Sequence, residues 1–418
     1  MDQLREALLD ARARTLDLVG DLDDAQWLGP RLAIVNPMRW EIGHVAWFHE
    51  HWVLRRVRGH APLRADGDAL YDSAKVAHDT RWDLSLPDRN ETLAYMRDVL
   101  ERTCAVLDDG REPYFHRLVV FHEDMHGEAL TYTRQTLGYP APRLRDDAIV
   151  AAVTGPWPGD VEIPGGELQL GAQPGTHAFV FDNEKWAHPV QVAPFRMARA
   201  PVTNAEFLAF VEDDGYVRDE LWSAAGRAWR TKVDAHAPVY WQRRDQQWYV
   251  RRYDELVAIP PHHPIVHVCW HEAEAFCRWA NRRLPSEAEW ELAATAGDGR
   301  TFPWGDAAPT SSHANLDARA RGPVDVSAHP EGDSAHGCRQ LIGNTWEWTS
   351  TRFAPYPGFV VDPYKEYSEP WFATPHMVLR GGCWATRARL LRNTWRNFYP
   401  PDRRDVLAGF RTCALTNQ

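Results

Sequence analysis

Helical periodicity runs through the first ~140 residues of the chain and then stops. That break constrains the fold most, because a single chain must then house two architectures. Leu4, Leu8, Leu16 and Val19 fit one apolar stripe. Asn36 and Pro37 read as the N-cap and first position of a second helix, WEIGHVAWFHEHWVLRRV. A third helix is DRNETLAYMRDVLERTCAVL, and a fourth is PYFHRLVVFHEDMHGEALTYTRQTLG, stopped by Gly138 and Pro140. Four such segments predict an antiparallel four-helix bundle over residues 1–145, with a link near 59–87 too long to be a mere turn. Residues 146–160 read as a linker into a second domain that runs to 418. There the helical period disappears among Gly, Pro, Asn and Trp. Short β-like runs such as HPVQVAPFRMA and HMVLRGGCW accompany two helices, TNAEFLAFVEDDG and HEAEAFCRWANRR. The expectation is an α+β domain with much irregular backbone.

Composition supports this division and excludes several classes. Most of the 20 tryptophans fall after residue 180, where a large apolar face with one N–H donor suits the anchoring of loops. The net charge of −11 argues against a nucleic-acid partner, whose phosphates need clustered Lys and Arg. No run approaches the ~18 apolar residues of a membrane span, so no membrane partner is expected. The first residues mix both charge signs without an apolar core, unlike a secretory signal. Six cysteines without a CxxC pair are too sparse for a disulfide scaffold, so a cytoplasmic location is expected.

The chemistry-bearing residues are histidines. His122 and His126 stand four apart on the fourth helix and share a face, in the string His122-Glu123-Asp124-Met125-His126. This satisfies H-E-x-x-H, a metal-site pattern, although two solvated histidines beside acidic residues would satisfy it too. An extended zinc-protease motif fails, because Ala129 and Tyr132 stand where Gly and His belong. His44 lies among apolar neighbours on the second helix. Alone it would read as a core residue; with an i, i+4 pair in the same bundle it becomes a candidate third ligand. Three neutral imidazoles suit Fe(II) and Zn(II) about equally.

The second half resembles the formylglycine-generating-enzyme fold, a C-type-lectin-like domain. The strings that carry this are PVTNAEF from Pro201, NRRLPSEAEWE from Asn281, FPWG from Phe302, GNTWEW from Gly343, RGG from Arg380 and GFR from Gly409. Formylglycine chemistry itself is not expected, since Cys383 follows RGG alone and the next cysteine is Cys413. A DinB-like bundle with GHVAWF and HExxH, joined to this domain, resembles the ergothioneine sulfoxide synthases and their selenoneine-synthase relatives. The resemblance implies an O2-dependent non-heme Fe(II) oxidoreductase with His44, His122 and His126 as ligands. Its reaction joins C2 of hercynine (Nα-trimethylhistidine) to a sulfur or selenium donor.

The departures bear on the donor. Synthases that use γ-glutamylcysteine carry Arg-x-x-Arg after the second helix, where this chain has His78 and Arg81. They have Gln where Met125 stands, and Asn-Trp-Asp where this chain reads Asn397-Phe398-Tyr399, followed by Arg403 and Arg404. Losing an arginine and an aspartate disfavours a zwitterionic donor. The resemblance is closer to the selenoneine-synthase branch, with a selenosugar as partner, and a thiol donor (γ-glutamylcysteine or cysteine) is the alternative. A zinc hydrolase using Glu123 as base is the more distant one. Carried over from the family, Asn397 would hold the hercynine carboxylate and Phe398 would face its trimethylammonium group. Tyr399, Arg81 and Arg403 complete the substrate-binding set. Tyr356 and Tyr364 are candidates for the family's proton-donating tyrosine, with packing as the competing explanation for either.

Overall fold

The structure, a computed structural model, describes residues 2–107, 113–146, 148–149 and 153–415. The chain forms two compact units, Met1–Asp147 and Ala148–Gln418.

In the N-terminal unit the helices are α1 (Asp2–Val19), α2 (Asp24–Leu28), α3 (Met38–His49), α4 (Gly67–Tyr71), α5 (Arg89–Ala105) and α6 (Pro113–Leu137). The long ones, α1, α3, α5 and α6, make the bundle: α1 packs on α6 and α5, and α3 packs on the same two. Local signals set their ends. Asp88 and Glu91 form a reciprocal capping box at the start of α5. Gly138 follows α6 in the left-handed region, at φ 67°, where a glycine costs least. Nearly every residue of α3 is buried, as befits a helix apolar all round.

Two expectations need correction here. Asn36 is not the N-cap of α3; Pro37 is, with no side-chain cap bond. The Asn36 amide turns inward instead, between Glu41 and Arg81. Nor does α3 run on as an α-helix: it widens into a π-helix over Glu50–Val57. Glu50 is thereby buried, accepting from the Tyr95 hydroxyl (2.5 Å) and the Leu63 N–H (3.0 Å). The long link contains α4 and a 3₁₀ turn at His78–Thr80.

The C-terminal unit holds β1 (Asp160–Ile163), β2 (Gly166–Leu170), β3 (His188–Val192), β4 (Phe195–Ala198), β5 (Trp241–Arg244), β6 (Gln247–Arg252) and β7 (Glu255–Ala258). It continues with β8 (Arg282–Arg283), β9 (Trp346–Arg352), β10 (Met377–Arg380), β11 (Asn397–Tyr399), β12 (Ala408–Gly409) and β13 (Cys413–Ala414). These form sheets ordered β1-β4-β13-β8 and β11-β10-β9-β12, a β2-β3 pair and a β5-β6-β7 meander. The two expected helices are α7 (Asn204–Glu212) and α9 (Trp270–Trp279). The sequence reading missed α8 (Ala224–Lys232) and α10 (Glu287–Thr295). In α10 the apolar period is broken because Glu287 and Glu291 face inward, only 2% and 1% exposed.

Those carboxylates belong to a buried ionic framework made from the motif strings. Arg380 pairs with Glu287 (2.7 Å) and Glu291, and Arg396 holds Glu287 through two nitrogens (2.7 and 3.1 Å). Arg411 holds Glu347 through two bonds of 2.7 Å, and Trp290 donates to the same carboxylate at 2.8 Å. Arg392 closes on Glu184. Tryptophans pin irregular backbone as expected: Trp348 donates to the Val268 carbonyl and Trp270 to that of Thr349, both at 2.9 Å. Gly381, at φ 95°, cannot be replaced, since a Cβ there would lie 2.2 Å from the Leu341 carbonyl oxygen. Among the described residues, no helix is long and apolar enough to cross a membrane.

Candidate metal centre

The bundle brings His44, His122 and His126 together. One nitrogen from each ring lies within 4.8 Å of the others, with His44 and His122 buried and His126 half-buried. Helical spacing puts His122 and His126 on one face of α6, their Nε2 atoms 3.2 Å apart. His44 comes from α3, which packs against that face.

Each imidazole is oriented from behind. His44 Nδ1 lies 2.8 Å from the Tyr71 carbonyl oxygen, which only accepts, so Nδ1 carries the proton and Nε2 keeps its lone pair. His126 Nδ1 donates to Glu41 Oε1 at 2.5 Å with the same consequence. Trp40 stacks on His44 (centroids 4.9 Å, planes 7° apart), and Phe48 stacks on His122 (3.5 Å, 2°). The short helix α4 fixes α3 in turn: Trp40 donates to Leu70 O (2.6 Å) and Trp47 to Asp68 (2.8 Å). Burial, and then the neighbouring His126, push His44 down to about 3, and burial pushes His122 well below its usual range. Both rings are thus neutral, the form that ligates metal. Burial works against the Glu41 carboxylate, but the adjacent His126, with help from Asn36, holds it at about 2. Three imidazoles with one nitrogen each converging on a common point fit a divalent iron or zinc ion.

Glu123 is not available as a base at this site. Its oxygens accept from Arg12 (2.7 and 3.3 Å), Thr15 (2.9 Å) and His49 (2.9 Å), and it is 1% exposed. Burial alone would raise its pKa; Arg12 and His49 instead hold it below the carboxylate range. The zinc-hydrolase alternative loses its general base.

The remaining expected residues are placed as follows. Arg81 is buried, donating to Asn36 Oδ1 (2.6 Å) and the Val76 carbonyl (3.2 Å) and lying 3.7 Å over the Trp40 ring. His78 Nε2 donates to the Val35 carbonyl at 2.6 Å. Asn397, Phe398 and Tyr399 form β11, whose alternation sends Asn397 and Tyr399 to one face and Phe398 to the other. Phe398 stacks on Phe353 (3.9 Å, 12°), with Tyr367, Trp371 and His376 around it. Asn397 accepts from the Phe398 N–H at 2.8 Å. Arg403 grips Asp405 through two bonds of 2.6 Å and lies over the Tyr399 ring. Tyr356 is a core residue, against His188 and under Arg396, with burial raising its pKa; that environment does not suit a proton donor. Tyr364 is half-buried, its pKa also raised by burial.

Sequence reasoning missed Glu41, Asn36, Trp40 and the Tyr71 carbonyl. Glu41 and Trp40 had a signal, three and four residues before His44 on the same helical face. The Tyr71 carbonyl had none, because a backbone oxygen is not written in side chains.

Comparison with known proteins covers both units. Residues 7–137 match the DinB superfamily, and residues 147–415 match the sulfatase-modifying factor enzyme 1-like domain. The N-terminal unit is therefore a DinB helical domain and the C-terminal unit a C-type-lectin-like domain of that class. The chain is 37% identical to the hercynine oxygenase of Mycolicibacterium smegmatis, across 97% of this chain and 98% of that one. It is 35% identical to the hercynine oxygenase of Mycobacterium tuberculosis, across 98% of each chain. The formylglycine-generating enzyme of Streptomyces coelicolor is 33% identical, across 61% of this chain and 88% of its own length. Because likeness to the hercynine oxygenases runs through both units while likeness to the formylglycine enzyme is partial, the chain belongs to the hercynine oxygenase family and is an oxygen-dependent enzyme.

Proposed function

We propose that the protein is a selenoneine-forming synthase: with Fe(II) held by His44, His122 and His126, it uses O2 to join C2 of hercynine to the selenium of a selenosugar. The C2–H bond is replaced by C2–Se, and O2 is the oxidant. An iron ion at the three histidines supplies the one-electron chemistry by which O2 oxidises the chalcogen. The chain's own part is to keep His44 and His122 neutral by burial, to fix the rings of His126 and His44 through Glu41 and the Tyr71 carbonyl, and to keep water away with Trp40 and Phe48. In the C-terminal unit, the Asn397 amide is proposed to hold the substrate carboxylate; Phe398, on the opposite face of β11 and packed among Phe353, Tyr367, Trp371 and His376, does not share that face and is not given the trimethylammonium group.

The donor assignment is carried by one observation. Of the groups at the positions expected to grip an amino-acid donor, Arg403 is committed to Asp405, Arg81 to Asn36 and Val76, and His78, bonded to the Val35 carbonyl, stands where those synthases have an arginine. A zwitterionic donor would have to draw these groups from the partners they already hold, and a neutral sugar would not. Tyr399 offers a hydroxyl rather than a carboxylate. The test is a competition under O2 with Fe(II), hercynine, γ-glutamylcysteine, cysteine and a 1-selenosugar, with products read by mass spectrometry. The selenium adduct should dominate by orders of magnitude. A dominant sulfoxide from γ-glutamylcysteine would overturn the selenium reading in favour of a thiol donor.

A further inference from the structure

We propose that Arg81 is a positioning residue of the metal centre, acting on two of its three histidines from behind. The inference rests on the metal-centre reading above and gives Arg81 a role that donor binding does not require.

Two arms leave its guanidinium. Along the first, Arg81 donates to Asn36 Oδ1 (2.6 Å), Asn36 Nδ2 donates to Glu41 Oε2 (2.5 Å), and Glu41 Oε1 accepts from His126 Nδ1 (2.5 Å). The direction of this relay is forced. A guanidinium only donates and a carboxylate only accepts, so the Asn36 amide has one permissible orientation. Along the second arm, the guanidinium carbon lies 3.7 Å over the Trp40 ring, and that ring is stacked on His44. Trp40 is pinned at its other end to Leu70 O, one residue from the carbonyl that orients His44.

Arg81 follows the 3₁₀ turn in the long link, and its donation to the Val76 carbonyl ties it to that link. It therefore joins a segment with no metal ligand of its own to His44 on α3 and His126 on α6. Without the guanidinium, Asn36 Oδ1 loses its donor and its amide is held from the Glu41 side alone, and Trp40 loses the group over its face. Groups that hydrogen-bond a ligating histidine typically contribute about 10–100-fold in metal affinity, and Arg81 acts through one of them, Glu41.

The experiment titrates metal-free full-length protein with Co(II) in the absence of substrates, following the visible absorption of the imidazole-bound ion. Wild type, R81Q, N36A, E41Q, R81Q/E41Q and H126A are compared, with KM and kcat then measured for the iron-loaded forms. E41Q should bind Co(II) about 10–100-fold more weakly than wild type, and R81Q and N36A should each show a smaller loss in the same direction. R81Q/E41Q should lose less than the product of the two single losses, because the two residues share an arm. Where R81Q fails to fold, N36A at a half-buried position carries the same test. Unchanged Co(II) affinity in the folded variants, with a rise confined to the KM of the donor, would overturn the proposal and leave Arg81 as a donor contact. If wild type binds Co(II) no better than H126A, the metal-centre reading fails instead, and that result is distinct.

Discussion

Four buried carboxylates of the C-terminal unit and the one behind the metal centre are closed differently. In the C-terminal unit Glu184, Glu287, Glu291 and Glu347 are each met by a buried arginine. In the N-terminal unit Glu41 is met by an imidazole and an amide. Glu123, held by Arg12, is of the first kind although it lies in the bundle. A guanidinium has only donors, so once a carboxylate satisfies it nothing is left over for a ligand. An imidazole that donates through Nδ1 still has a lone pair at Nε2. The first kind of pair therefore ends in scaffold, while the second hands a directed ligand atom to whatever lies beyond. The difference lies in the partner of the carboxylate rather than in burial or charge.

The largest test of this contrast is Glu347→Ala. It strands the Arg411 guanidinium, which is 0% exposed, and leaves the Trp290 N–H without its acceptor. Removing one member of a buried pair typically costs about 3–5 kcal/mol, so the full chain should show a large fall in thermal midpoint or fail to accumulate folded. Denaturation followed by tryptophan fluorescence measures it. A loss under about 1 kcal/mol would mean that the arginine finds another partner, and the scaffold role assigned to these pairs would lapse.

That framework also marks how far the sequence could be read. The bundle was legible because its helices carry regular apolar stripes and conventional stops, and the histidine pair was legible because four residues is about one helical turn. The third histidine needed the partner helix to turn it from a core residue into a ligand. In the C-terminal unit, Glu287, Glu347, Arg380 and Arg411 were visible as motif letters but not as partners. Each pair joins positions tens of residues apart, and single-sequence patterning carries no term for that distance. The π-helix after His49 and the inward turn of Asn36 were invisible for a related reason: tertiary partners, Tyr95 and Arg81, decide them.

An intermediate effect is expected on the other side of the comparison, from Gly43→Ala. A Cβ at Gly43 would lie 2.3 Å from the Tyr71 ring and 2.7 Å from its hydroxyl oxygen. Tyr71 is fully buried, so either the ring or α3 must move, an overpacking that costs about 1–3 kcal/mol. The same residue supplies the carbonyl that orients His44, so Co(II) retention should fall along with the thermal midpoint. Gly67→Ala is the control, because its Cβ would meet Trp47 at an ordinary 3.4 Å. If Gly43→Ala keeps wild-type metal affinity, the orientation of His44 does not depend on Tyr71, and the distinction between ligand-holding and scaffold contacts weakens.

The smallest effect separates the two uses of a buried histidine. His267 in the C-terminal unit resembles His44 closely: it is 7% exposed, and its Nδ1 donates to a backbone carbonyl, that of Asp405, at 3.0 Å. Its other neighbour, however, is the edge of Tyr240 rather than two more imidazoles. Burial pushes His267 down to about 4, against an upward pull from Asp405. A folded value below the unfolded value of ~6.5 means that the unfolded chain binds the extra proton first. The contribution of His267 to stability is therefore complete above about pH 6.5 and is lost as pH falls toward 4. His267→Asn removes the titration and tolerates the backbone, whose φ of 63° lies in the left-handed region that Asn adopts readily. Between pH 7 and 5.5, wild type should lose about 1 kcal/mol more stability than this variant, measured by urea denaturation at each pH. Co(II) affinity should be the same in both, since His267 lies in the C-terminal unit, outside the three-histidine cluster. Stability curves that stay parallel would place a protonated His267 inside the fold beside Asp405, and the likeness to His44 would end there.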